Sequence, residues 1–307
     1  RRSPPMLTSM QRPDPWHGHC QLQFEHHADR TCHQGGCSSP FKLLRAERGH
    51  DGRCELPLLH TAGGLVGGDQ LQINATLAPG SRALLTSVAA QKVYGSVGRS
   101  QQHPQGRWAE QELHFQLAAD SDLEWLPQEL VLYADGLYQQ QARVELEPGA
   151  SFLGAEVVRL GRTAAGEQLQ QGCWRSSLEI RRHSAAGPRW ELVDRLALDA
   201  ASLNSEHGMA GAPVFGSLVW AAPQPIAAEA MATLLEQGRQ LRRGLEGEMA
   251  CGALEQGLVA RYRGPSSQAA RFWFTRLWRL LREARGQEPP QLPRVWPFQE
   301  EPLNCSV

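Results

Sequence analysis

From about Leu56 onward the chain reads as short segments in which apolar and polar residues alternate. Leu71, Ile73, Ala75 and Leu77 make one such run, Leu113, Phe115 and Leu117 a second, Val144 and Leu146 a third, Leu178 and Ile180 a fourth. A period of two puts successive side chains on opposite faces of a strand, so each run predicts a half-buried β-strand. Turn signals stand between them at Pro79-Gly80, Asp135-Gly136, Pro148-Gly149 and Gly187-Pro188. An earlier strand is expected near Gln21 to Phe24. Towards the C-terminus the period changes. Ala230, Met231, Leu234, Leu235 and Leu241 predict a helix over about 227–243. Phe272, Trp273, Leu277, Leu280, Leu281 and Ala284 predict a second over 267–284, capped by Ser266 or Ser267 and ended by Gly286. Strand sequence from Leu254 to Tyr262 lies between the two helices, and Pro289-Pro290 with Pro293 makes an extended stretch after them. No fixed-period repeat and no linker divides the chain. The expectation is therefore a mainly β, single elongated domain of packed, partly helix-like wound sheets with two α-helices near the C-terminus. It would span 21–297, between a loosely attached start, 1–20, and a tail, 298–307.

Composition narrows the function. With 307 residues, 41% of them hydrophobic and 21% charged, the chain can bury a sizeable core without disulfides. A formal charge of −1 gives no general positive field for nucleic acid or an anionic membrane surface. No apolar stretch approaches the roughly eighteen residues of a spanning helix, and Arg1-Arg2 runs into Ser3-Pro4-Pro5 rather than an apolar segment, so neither a membrane span nor an export signal is expected. Seven cysteines, odd in number and sparse, argue against a disulfide framework and for a reducing, cytoplasmic setting. Only Lys42 and Lys92 are lysines; every other basic residue is arginine, the better partner for fixed pairing with carboxylates.

Three groups of residues could carry chemistry. The run His60-Thr61-Ala62-Gly63-Gly64-Leu65-Val66-Gly67-Gly68-Asp69 holds four glycines, which require positive φ, close backbone approach, or both. A phosphate loop would end in Lys-Ser/Thr before a helix, whereas an alternating strand follows here, so the run is not a nucleotide site. It reads either as a tight strand connection with Asp69 as a turn acceptor, or as a site in which His60 and Asp69 face an internal passage. The second group is the Cys/His-rich start, where Cys32, Cys37, His17 and His19 are candidate metal ligands; Cys32-x4-Cys37 lacks the paired-knuckle spacing, and a polar face binding adventitious metal is the plainer account. The third is Glu129, Glu156 and Glu167, carboxylates among apolar neighbours. They are either ion-paired, with Arg159 or Arg162 near in sequence, or lining a solvated passage. The G-x-S-x-G and H-E-x-x-H signatures are absent, and no enzymatic activity is expected. Trp273 and Trp278, on one predicted helix, are core residues or anchors of a partner surface.

Taken together, the blocks resemble the family of the urease accessory protein UreD, also called UreH. The resemblance rests on the run from His60 to Asp69 with Gly63, Gly64, Gly67 and Gly68, on Leu84-Leu85-Thr86-Ser87 through Gln91-Lys92-Val93-Tyr94, and on Leu123 to Glu129 with Trp125 and Pro127. It continues through Leu160-Gly161-Arg162 with Gly166-Glu167, Phe272 to Arg282, and Pro293-Arg294-Val295-Trp296, covering about 16–297. It implies a mainly β scaffold, not itself catalytic, that acts with UreF and the GTPase UreG on the urease apoprotein during GTP-dependent nickel insertion. No cofactor would be held tightly, and Ni²⁺ would pass only transiently. Positions matching polar groups of an internal nickel route are Asp69, Glu129, Glu156 and Glu167, with His60 in addition. Two departures stand out: Gly95 occupies the arginine position of the family's Lys-x-Tyr-Arg-Ser, and Thr61-Ala62 precedes Gly63-Gly64 where the family has Pro-Pro. The reading set against this one is a β-rich metal-binding or storage protein that uses the Cys/His-rich N-terminus.

Overall fold

The computed structural model describes residues 14–297 and 300–304. Its centre is a chain that passes back and forth between two sheets. Cys54–His60, Arg82–Ser87, Asp122–Leu126 and Ser151–Leu160 lie side by side and parallel in one sheet. Gln70–Leu77, Ala109–Leu117, Leu137–Leu146 and Cys173–Arg182 do the same in the other. Further strands, most of them antiparallel, complete both; His17–His27 joins parallel to Gln70–Leu77. The second sheet gains Arg189–Leu198 at one edge and the pair His17–His27 and Arg30–Cys37 at the other, making seven strands. The first extends to eleven through Val214–Ala221, Gly257–Gly264, Glu248–Leu254 and shorter pieces.

The two ends of this winding differ. At one end, 78–81, 118–121 and 147–150 each close a turn in which the fourth amide donates to the first carbonyl, at 3.1, 3.2 and 3.1 Å. The third residue, Gly80, Asp120 or Gly149, takes φ of 72, 58 or 77°, as such a turn requires. At the other end the returns are long and unequal, 61–69, 88–108, 127–136 and 161–172. Their inequality is why the winding leaves no fixed period in the sequence.

Two cores stack on the eleven-stranded sheet. Between the sheets lie Leu22, Phe24, Leu56, Ile73, Phe115 and Phe152. On the opposite face, α2 (Ala228–Gln240) and α3 (Ser267–Ala284) pack Trp273, Phe274, Leu277 and Leu281 against Leu84, Leu153, Leu218 and Trp220. The eleven-stranded sheet is thus covered on both faces, and Asp122–Leu126 is buried at every position, whereas Gln70–Leu77 alternates. Ser266 caps α3 by accepting from the Ala269 amide at 3.0 Å. A third helix, α1 (Ala200–Asn204), is a single turn capped by Asp199, too short to show a period.

The placement of α3 corrects one expectation. Trp273 and Trp278 are 0% and 1% exposed, their indole N–H groups bonded to the Gly238 carbonyl and the Glu124 carboxylate, so they are core anchors and not a partner surface. The apolar stripe that signals the helix is the face it buries. At the chain's start, strand structure begins at His17, inside the stretch expected to be loosely attached, and Trp16 is already tied to Asp69; residues 1–13 lie outside the described residues. At its end, the Arg276 guanidinium donates to the carbonyls of Pro302 and Asn304, fixing part of the expected tail; residues 298–299 and 305–307 lie outside the described residues.

Candidate functional site

At the long-return end the eleven-stranded sheet is interrupted. Asp122–Leu126 pairs with Ser151–Leu160 as far as Trp125↔Gly154, and pairing resumes only at Leu130↔Val158. The neighbouring Arg82–Ser87 likewise stops before Gln91–Val93, which pairs with Leu130–Leu132. Local sequence accounts for both gaps. Pro127 has no N–H to give a ladder, and Ala89 turns the chain at φ 53°. Side chains replace the missing ladder: Thr86 Oγ1 donates to the Leu126 carbonyl at 2.6 Å, and Ser87 Oγ accepts from the Gln128 amide at 2.8 Å. Ala155, Glu156 and Val157 therefore face a gap instead of a strand.

A cavity of about 270 Å³ fills that gap, running from Gly63, Ala89 and Lys92 at the surface to Tyr138, Gln140 and Glu156 between the sheets. Two smaller cavities of about 30 Å³ each adjoin it. One lies deeper between the sheets, beside Phe115, Ser176 and Ser217; the other lies on the helix side, beside Arg271, Thr275 and Trp278. Glu156 lines all three. Its carboxylate accepts from Ser176 Oγ at 2.9 Å and Gln140 Nε2 at 3.2 Å, both neutral donors. Burial pushes its pKa up to about 7, with Ser176 and Arg261 opposing and Asp194 reinforcing. Both ring nitrogens of His60, which also lines the large cavity, are buried and have no hydrogen-bond partner among the described residues. Burial lowers the His60 pKa against the pull of Asp69, leaving a neutral imidazole with a free lone pair near pH 7. Gln128, 6% exposed, lines the same cavity, and its Nε2 has no hydrogen-bond partner among the described residues. Next to it Glu129 has a buried Oε2 that makes no hydrogen bond among the described residues, and its charge opposes the burial-driven lowering of the Arg271 pKa.

Two of the predicted passage residues do other work. Asp69 is fully buried and lines none of these cavities; Oδ1 accepts from the Trp16 amide and Oδ2 from the Val66 amide, both at 2.9 Å. It is the turn acceptor that the glycine run allowed. Glu167 is gripped by the Arg162 fork at 3.1 and 2.8 Å and by the amides of Arg162 and Ala134. The Arg162 hydrogen bond outweighs burial and holds its pKa at about 2, so it is an ion pair and no cation ligand. The N-terminal metal set does not assemble either. Cys37 is joined to Cys20, its register partner across the hairpin, a pairing that spacing alone did not reveal; Cys32, five residues away, points to the other face. His17 is exposed, His19 contacts Asn74, and no group of three or more His, Cys, Asp and Glu side chains converges among the described residues.

The remaining landmarks brace the long returns. The Tyr94 hydroxyl donates to the Gly63 carbonyl at 3.2 Å, its ring meets Tyr133 edge-on at 5.1 Å, and Arg162 lies 4.3 Å over Tyr133. Glycine is required at Gly64, where a Cβ would sit 2.5 Å from the Tyr94 ring, and at Gly68, where φ is 101° and the Arg107 guanidinium fills the space. Beside Gly95, the position without the family's arginine, lies the guanidinium of Arg99, 4.0 Å from Asp135. Sequence reasoning missed Gln111, Tyr138, Gln140 and Ser176. A signal for them existed: each occupies an inward position of an alternating strand, in phase with Leu113, Val144 or Ile180, where an apolar residue is expected.

A β scaffold wound between two sheets, with a polar cavity entering through an interrupted strand, is the class that fold and site define. The family described as UreD urease accessory protein matches residues 17–297. The chain is 64% identical to the urease accessory protein UreD of Synechococcus sp. strain WH7805 over 305 residues, covering 97% of this chain and 96% of that protein. It is 64% identical to that of Parasynechococcus marenigrum strain WH8102, covering 96% and 95%, and 57% identical to that of Synechococcus sp. strain RCC307, covering 94% and 92%. The chain belongs to the UreD urease accessory protein family.

Proposed function

We propose that this chain serves urease maturation by delivering nickel to the urease apoprotein, in a cytoplasmic complex with UreF and the GTPase UreG. The cavity system meeting at Glu156 is the part of the nickel route inside the chain. One observation carries this reading: a half-buried carboxyl group whose hydrogen-bond donors among the described residues are all neutral stands where three cavities meet. Of the three cavities only the small one on the helix side is lined by a guanidinium among the described residues, that of Arg271, and at the Glu156 carboxyl a cation meets a hydroxyl and an amide. Such ligands hold Ni²⁺ less tightly than thiolates or several converging imidazoles, and a conducting site must be good enough to enter and poor enough to leave. No cofactor is held tightly in this scheme, and the chain catalyses no bond change. Direction comes from the GTPase, whose affinity for the metal changes with its nucleotide state.

The test is activation of apo-urease with purified UreF, UreG, GTP and limiting nickel. Glu156→Ala and His60→Ala are expected to lower the active urease formed while the complex still assembles on gel filtration. Full activation by both variants would remove the passage and leave a docking scaffold.

A further inference from the structure

The C-terminal end of α2 and the middle of α3 border a surface cleft of about 900 Å³ that shares no lining residue with the cavities above. Arg239, Arg242, Arg243, Arg276 and Arg279 line it, with Glu283 the only carboxylate in the lining among the described residues. Glu283 is bound to Arg279 at 2.9 Å, and Arg239 lies 3.6 Å from Glu236. Among the described residues the other three guanidinium groups pair with no carboxylate. Arg242 donates to the carbonyls of Arg239 and Met249 at 2.8 and 2.7 Å. Arg276, 5% exposed, donates to four carbonyls, those of Leu241, Arg243, Pro302 and Asn304. Arg243 is exposed, and its side chain makes no hydrogen bond or ion pair among the described residues. In a chain of net charge −1 this is a strong local excess of positive charge. The fold holds it by placing Arg276 against the backbone carbonyls that follow α2 and against the chain's C-terminal stretch.

We infer that this cleft docks an acidic, amphipathic segment of a protein partner. Its carboxylates would meet Arg239, Arg242 and Arg243, and its apolar side chains would rest on Leu241, Leu280 and Leu303, which share the lining. Guanidinium forks match carboxylates in bidentate geometry, and charge complementarity of this kind steers association. A nucleotide fits less well. Among the described residues the lining has no aromatic ring on which a base could stack and no glycine. The helix end beside it is a C-terminus and offers no row of free backbone N–H groups to cradle a phosphate. The inference is independent of the nickel route.

The experiment measures binding of a fluorescent peptide of about fifteen residues, with Glu and Leu at helical spacing, to the full chain by anisotropy at low and high salt, with ATP and inorganic triphosphate as competitors. Saturable binding is expected, weakened about tenfold by Arg239→Glu/Arg243→Glu and by salt, and not displaced by ATP at peptide-equivalent concentration. The thermal melt of the double variant checks folding; Arg243→Glu alone, which removes no contact, should still weaken binding severalfold. No binding by the unaltered chain, equal binding by the variants, or preference for ATP or triphosphate would each overturn the inference.

Discussion

Glu156 shows how far one side chain can be argued from its surroundings. Its proton is held more tightly in the folded chain, at a pKa of about 7, than in the unfolded chain, where an ordinary glutamate value applies. Between those values, rising pH strips the unfolded chain first, so folding stability falls through this window and the full penalty is present above about 7. Glu156→Gln removes that dependence while its amide can still bond Ser176 and Gln140. The variant is expected to exceed the unaltered chain in stability by on the order of 2 kcal/mol at pH 8, with the difference vanishing below the ordinary glutamate range. Urea melts across pH 4 to 8 measure this; a constant difference would mean that Glu156 does not titrate there. The residue was legible in the sequence because a glutamate within Phe152 to Val158 breaks an apolar run. Asp69 and Glu167 were equally conspicuous, yet their oxygens meet backbone amides and the Arg162 fork. Residue type and spacing do not tell which partner a carboxylate faces.

At the scale of elements, α3 is bound to the sheet by more than its apolar stripe. Glu124, fully buried, accepts from Arg282 with both oxygens and from the Trp278 indole, and lies 3.4 Å from Arg53. Two residues earlier Asp122 accepts from Arg53 at 3.1 Å and Arg285 at 2.8 Å, which outweigh its burial and hold its pKa far below the usual range. Arg53 itself is 0% exposed. Glu124→Gln leaves the buried Arg282 guanidinium without its counter-charge, while Arg53 keeps Asp51 and Asp122, and a loss of about 3–5 kcal/mol is expected. Glu283→Gln, which breaks the exposed pair with Arg279 on the same helix, should cost under about 1 kcal/mol. Equal shifts in the urea midpoint of the two variants would show that α3 is not anchored at Glu124. The helix itself was legible because a 3.6-residue stripe marks it, and the strands of the seven-stranded sheet because one polar face makes them alternate. The central strands of the eleven-stranded sheet, such as Arg82–Ser87 and Asp122–Leu126, are covered on both faces and show no alternation, so the number and order of that sheet's strands were not legible.

For the whole molecule, the uniform turns and the long returns divide the labour. The short turns stack on one another, with Gly80 donating to the Ala119 carbonyl and Asp120 to that of Pro148, and set the winding. The returns carry the braced glycine run, the sheet interruption and the mouth of the cavity. If cations pass through this end, a better ligand at the junction should do harm, because transit fails when a site binds too well. Gln140 bonds Glu156 at 3.2 Å and lines both cavities between the sheets. Gln140→His adds an imidazole beside that carboxylate, a donor pair suited to Ni²⁺. The variant is expected to keep nickel through gel filtration and to lower urease activation at limiting metal at least about fivefold, with recovery when nickel is raised. Gln140→Ala, which loses the hydrogen bond but gains no ligand, should retain no nickel. A histidine variant that carries no metal and activates urease normally would move the route away from Glu156.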